Sequence, residues 1–159
     1  MKLKTLLLTI SAAVLLGGCV KVPQAPKLDV TLPVAGAEEV WVSSAQKGKP
    51  VLIAVMASYC GWCKKSLPAL EAANKEFGDK VQVIGVFVDQ DDAKVKQIIE
   101  DYGLNSKILY KGGDAATSLG VQGFPHIMLF NKKHQLVKYW SGYSDTLADQ
   151  YREEINKLI

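Results

Sequence analysis

Two kinds of apolar pattern run along this chain. Residues 51–57 and 81–88 are nearly continuous apolar stretches, as expected of strands buried on both faces. Elsewhere apolar positions recur at helical spacing. Leu67, Leu70, Ala73 and Phe77 fall on one face of residues 60–77, and helices are also expected over 91–102 and 145–158. Gly78 and Gly103 close the first two. Residues 127–130 and 135–140 read as strands joined by the polar turn Asn131-Lys132-Lys133-His134, which puts His134 on the surface. Residues 36–47, carrying Val40, Trp41 and Ala45, are expected to form a helix ended by Gly48 and Pro50. A loop region with a short helix around 115–119 completes the pass. Strands alternating with helices predict an α/β fold, a central mixed sheet with helices on both faces and an antiparallel final hairpin.

The first residues follow a different logic. Lys2 and Lys4 precede residues 6–16, an apolar run broken only by Thr9 and Ser11, too short to span a bilayer and proportioned like a secretory signal. It ends in Leu16-Gly17-Gly18-Cys19, which resembles the bacterial lipoprotein signal. The resemblance implies cleavage before Cys19 and lipidation of its thiol. The alternative is an ordinary signal peptide with Cys19 free or paired. Residues 1–18 are thus expected to be signal, 19–33 a lipidated tether and 34–159 one folded domain. Pro23, Pro26 and Pro33 suit an extended tether, with a reach on the order of 45 Å. Residues 27–32 alternate, however, and read equally as a first edge strand. Val20 stands where an aspartate would signal inner-membrane retention, which leans towards the outer membrane in a Gram-negative cell.

Charge changes the picture little. Removing Lys2 and Lys4 with the signal lowers the formal net charge from +3 to +1. Such a balance gives no electrostatic case for nucleic acid or for a charge-driven role at a membrane surface.

The candidate chemistry is Cys60-Gly61-Trp62-Cys63, where a buried strand turns into a helix. Two cysteines at that spacing form the layout of a thiol–disulfide redox site. A thiolate at a helix N-terminus is stabilised by unpaired N–H groups and the helix dipole, so Cys60 is expected to titrate below the roughly 8.5 of a free thiol. Cys60 would attack a partner disulfide and Cys63, one turn on, would resolve the mixed disulfide. A purely structural disulfide is the alternative, but closing a four-residue loop constrains an unfolded chain little. With Cys19 lipidated, these two of the three cysteines remain as a self-contained pair. Asp89, Asp91 and Asp92 resemble a metal cluster on paper, yet a helix N-cap with first-turn acids explains them.

Two motifs, residues 56–65 around the cysteines and Val121-Gln122-Gly123-Phe124-Pro125, together with the strand order, resemble the thioredoxin fold over residues 35–159. With the lipoprotein signal, the resemblance is to extracytoplasmic proteins of the TlpA/ResA type. It implies a cis-proline at Pro125 facing the cysteines, with the backbone of Phe124 pairing with substrate. Trp62 and Tyr59 would form an apolar docking rim, or else ordinary packing. Two positions depart from the pattern. Ala54 stands where thioredoxins carry a buried aspartate, and Lys64-Lys65-Ser66 where many TlpA/ResA-type proteins carry a glutamate. His126 is a candidate proton relay in place of that acid.

The resemblance implies a membrane-anchored thiol–disulfide oxidoreductase that reduces disulfides of exported proteins. Its electrons would come from a membrane thiol donor, and the Cys60–Cys63 disulfide would be its only redox group, without metal or other cofactor. The expected place is the bacterial cell envelope, on the extracytoplasmic side, held to the lipid membrane through Cys19. Two other readings stay open: a copper- or zinc-binding metallochaperone using the two sulfurs, and a non-catalytic adaptor.

Overall fold

The computed structural model describes residues 26–159. The expected signal peptide, Cys19 and most of the tether lie outside the described residues. No described helix is long and apolar enough to cross a membrane.

The chain runs β1 (Thr31–Pro33), β2 (Val40–Val42), β3 (Val51–Met56), α1 (Gly61–Phe77), β4 (Gln82–Phe87), α2 (Asp92–Tyr102), β5 (Lys107–Leu109), α3 (Gly113–Ser118), β6 (His126–Phe130), β7 (Leu136–Ser141) and α4 (Leu147–Asn156). Five strands make a mixed sheet in the order β5-β4-β3-β6-β7. β3, β4 and β5 are parallel, and β6 and β7 are antiparallel to their neighbours.

The central strand explains the layering. All six residues of β3 are buried. Leu52, Ala54 and Met56 face one core with Leu67, Leu70, Ala73 and Phe77 of α1, Val95 and Ile98 of α2, and Tyr151 and Ile155 of α4. Val51, Ile53 and Val55 face the other, which takes in Leu28, Val30, Leu32, Trp41 and, around α3, Ala116 and Leu119. Period-two alternation sends successive side chains to opposite faces, so a strand covered on both must be apolar throughout.

Three expectations from the sequence need correction. Residues 36–47 are not a helix: Val40–Val42 is a strand, and Ser43–Gln46 only a 3-10 turn. β-branched and aromatic side chains favour an extended chain, and pairing with β1 through Leu32↔Trp41 buries Trp41 while leaving Val40 exposed. The folded unit also begins before residue 34. Leu28, Val30 and Leu32 are in the core, so the alternation in residues 27–32 marks packed chain in place of free tether. Val30 N–H donates to the Oγ of buried Ser43 at 3.0 Å. Finally, His134 is buried, at 2% exposure. Leu28 N–H donates to His134 O at 3.2 Å and Lys27 pairs with Gln135, so the N-terminal segment covers the β6–β7 turn.

The two edges of the sheet differ. β5 is overlaid by the β1–β2 region, with Val34 bridging Leu109 and Ala35 N–H donating to Ile108 O at 2.9 Å. Among the described residues no strand pairs with the outer side of β7, and Val137, Lys138 and Tyr139 are exposed.

Candidate active site

β3 delivers the chain to one end of the sheet, where residues 57–60 turn into α1. Cys60 N–H donates to Ala57 O at 3.1 Å. Cys60 is the N-cap of α1, extended at φ −88° and ψ 110°, and its Sγ accepts the Cys63 N–H at 3.1 Å. It occupies the place a serine or aspartate oxygen fills in most helix caps. An acceptor in that place gains from negative charge, so the same N–H and the helix dipole favour a Cys60 thiolate. Cys60 and Cys63 are joined in a disulfide with Cα atoms 5.2 Å apart. Cys60 is half-buried and Cys63 is buried, at 1% exposure. The outer sulfur is the one a partner can reach.

The second sequence motif comes to the same place. The Phe124–Pro125 peptide bond is cis, and Phe124 O lies 3.7 Å from Cys60 Sγ. Phe124 packs partly buried against both cores. Tyr59 and Trp62 are 77% and 57% exposed and lie on the surface flanking Cys60. Trp62 is nonetheless held in place. It stacks on Tyr143 with ring centroids 5.8 Å apart, and the Lys65 ammonium lies 4.5 Å from its centroid. Tyr143 O–H donates to Asp145 at 2.6 Å, and that carboxylate holds the phenol above its usual range. Nothing in the sequence near Tyr143 marked it, because the contact closes only once β7 brings residue 143 to this end.

Asp89 differs from its two acidic neighbours. The first-turn reading holds for Asp91, whose side chain accepts Ala93 N–H at 2.9 Å, and for Asp92, paired with Lys96 at 2.7 Å. Asp89 instead faces the redox turn. Its carboxylate accepts Ser58 N–H at 2.8 Å and the Ser58 hydroxyl, tying residues 57–60 to the end of β4. Asp89→Ala should cost about 1–3 kcal/mol by leaving the Ser58 groups unpaired. It should also slow disulfide exchange by misplacing Cys60. Urea unfolding and exchange kinetics on the same preparation check both halves.

His126 is not brought to the cysteines. It precedes Ile127, which packs in the core containing Cys63, so His126 points to the opposite face with Met128. There it stacks on Tyr139 with centroids 5.5 Å apart. Its Nδ1 is buried without a hydrogen-bond partner, and burial holds the ring below its usual pKa. It is a neutral packed histidine, and the relay expectation fails on position. Among the described residues no carboxylate is buried: Ala54 is core, and buried Ser66 donates to Cys63 O at 2.7 Å. Among the described residues no three His, Cys, Asp or Glu side chains are grouped as metal ligands would be.

Comparison with known proteins agrees with this geometry. Residues 22–155 match the Redoxin family. The chain is 27% identical over 115 residues to the thiol-disulfide oxidoreductase ResA of Halalkalibacterium halodurans, covering 71% of this chain and 64% of that protein. The chain therefore spans less than two thirds of the length of curated relatives of this kind. In structure it resembles a putative thiol:disulfide interchange protein DsbE from Chlorobium tepidum, at TM-score 0.77 and 20% identity over 85% of this chain and 96% of that one. A putative protein disulfide isomerase from Bacteroides thetaiotaomicron gives TM-score 0.76 at 22% identity, over 87% and 91%. These likenesses establish a thioredoxin fold.

Proposed function

The chain belongs to the redoxin family, and from that premise we propose that it is a membrane-anchored thiol–disulfide oxidoreductase reducing disulfides of exported proteins. The observation carrying this reading is the placement of Cys60. Its sulfur caps α1, is reachable from solvent, and lies beside the Phe124 carbonyl and the aromatic rim.

In the reduced protein the Cys60 thiolate attacks one sulfur of a partner disulfide. A Cys60–partner disulfide forms and the other partner sulfur leaves as a thiolate. The substrate chain lies against the backbone of Phe124 and Pro125, with Tyr59 and Trp62 contacting its apolar side chains. The Cys63 thiolate then attacks Cys60 Sγ, the Cys60–Cys63 disulfide forms, and the second partner sulfur leaves. Two electrons pass to the partner, whose two thiolates take protons from solvent. Resetting needs a dithiol donor, read here as a membrane thiol protein. Among the described residues no acid is buried, so the Cys63 proton is released to solvent during resolution. Lipidation at Cys19 would hold the domain on the extracytoplasmic side of the envelope.

Equilibration of the Cys60–Cys63 pair against defined thiol–disulfide buffers tests the direction. A potential near −270 mV, about that of thioredoxin, is expected of a reductase. A value near −120 mV, about that of a strong oxidant, would reverse the direction of electron flow.

A further inference from the structure

We infer that the end of the domain opposite the cysteines is a docking face for anionic phospholipid, holding the redox site outward from the membrane. The inference rests on the anchor reading of Cys19 for its geometry, and its basis is where the fold collects charge. The near-neutral balance of the chain conceals a segregation.

β3 and β4 begin, β6 ends and β7 begins at one end of the sheet, with Val51 paired to both Gln82 and Phe130. Gly48 N–H donates to Lys132 O at 3.2 Å, and Lys27 bridges Gln135. These links gather Lys27, Lys47, Lys132 and Lys133 around a recess of about 460 Å³, with His134 in its wall and Asp29 the only acid. Among the described residues none of the four lysines forms an ion pair. Neighbouring Lys157 lines a second recess with Lys132 and Lys133, but its charge is met by Glu153 and Glu154. The cysteine end has no such excess. There Asp89, Asp91, Asp92 and Asp114 follow the C-terminal ends of β4 and β5 and offset Lys64, Lys65 and Lys111.

The entry point of the chain selects the occupant. Residue 26 adjoins Lys27, and Cys19 lies seven residues upstream, a span of about 25 Å at full extension. The described chain thus starts beside the β6–β7 turn, so an anchor at Cys19 keeps this basic end within reach of the headgroups. Free lysines act on an anionic surface only within about a Debye length, roughly 10 Å at 0.1 M salt. The six residues of β3 separate the two ends by about 20 Å. Docking by the basic end therefore leaves Cys60, Trp62 and the Phe124–Pro125 groove facing away from the bilayer and open to large partners.

Vesicle flotation with amine acetylation mapped by mass spectrometry tests this on the full chain extracted in detergent. On vesicles containing phosphatidylglycerol, acetylation of Lys27, Lys47, Lys132 and Lys133 should fall by roughly threefold or more relative to phosphatidylcholine vesicles. High salt should abolish the difference, and Lys64 and Lys65 should label equally on both. The double variant Lys132→Glu, Lys133→Glu should remove the protection of Lys27 and Lys47. Equal labelling on the two vesicles would overturn the docking face. Flotation on phosphatidylcholine reads the anchor separately. A chain that fails to float there but floats, salt-dependently, on phosphatidylglycerol loses the anchor and keeps the face; one that floats on neither loses both.

Discussion

Cys60→Ser should reduce disulfide exchange to the uncatalysed background, a loss on the order of a thousandfold. The hydroxyl keeps the N-cap, since serine is a good acceptor for the Cys63 N–H, so the helix survives while the nucleophile disappears. Cys63→Ser should behave differently. The first attack still proceeds, but nothing resolves the intermediate, and the partner should accumulate as a mixed disulfide on Cys60, visible by mass as a covalent adduct. The asymmetry follows from burial: a partner reaches Cys60, whereas Cys63 is covered. Losing the disulfide itself should lower stability by about 2 kcal/mol or less, because the closed loop is so short. Biological function retained in Cys60→Ser while exchange is lost would favour the adaptor reading.

The largest effect on stability is expected at Tyr151. Its ring is 1% exposed, joins the core shared by α1 and β3, and meets Trp140 of β7 edge-on with centroids 5.1 Å apart. Tyr151→Ala removes one of three buried α4 side chains in this core, the largest of them, and should cost about 3–5 kcal/mol. Tyr151→Phe keeps the ring and should be nearly neutral at pH 7, which separates packing from the hydroxyl. Alkaline pH distinguishes the two further. Burial raises the phenol well above its ordinary value of 10.0, so the folded state keeps it neutral while the unfolded chain ionises. This contribution is full below pH 10 and is lost as pH rises through the folded value. Tyr151→Phe should therefore move the alkaline unfolding midpoint upward, as followed by circular dichroism.

The parts of the fold legible in sequence were those with a long period. The buried runs of β3 and β4 and the apolar stripe of α1 exceed any turn-scale ambiguity, and the cysteines announced their own spacing. β5 was missed because three residues, Lys107–Leu109, are too few to show alternation. Val40–Val42 read as helix because Trp41 and Ala45 lie four apart, while its true pairing partner is residues 31–33, distant enough to be invisible locally. His134 failed for the same kind of reason. A polar turn predicts exposure only if nothing crosses it, and residues 27–28 cross it. At the site, Cys60, Cys63 and Pro125 were legible as motif, whereas Asp89 and Tyr143 act through contacts between different strand ends. His126 sat beside the motif in sequence and on the far face in space. One residue along a strand is the whole thickness of a sheet.

The open side of β7 has a consequence for how crowded the protein can be. An unpaired edge exposes a row of N–H and C=O groups that a second strand can complete, and Val137 and Tyr139 would reward the match. Lys138 stands between them, exposed. Two copies approaching edge to edge would bring these ammonium groups together with the ladder they tried to extend. The register irregularity between Leu129 and Phe130 breaks the β6–β7 ladder near its start. A lysine and an irregular register are both features that disfavour strand addition at a sheet edge, apart from any chemistry at the cysteines.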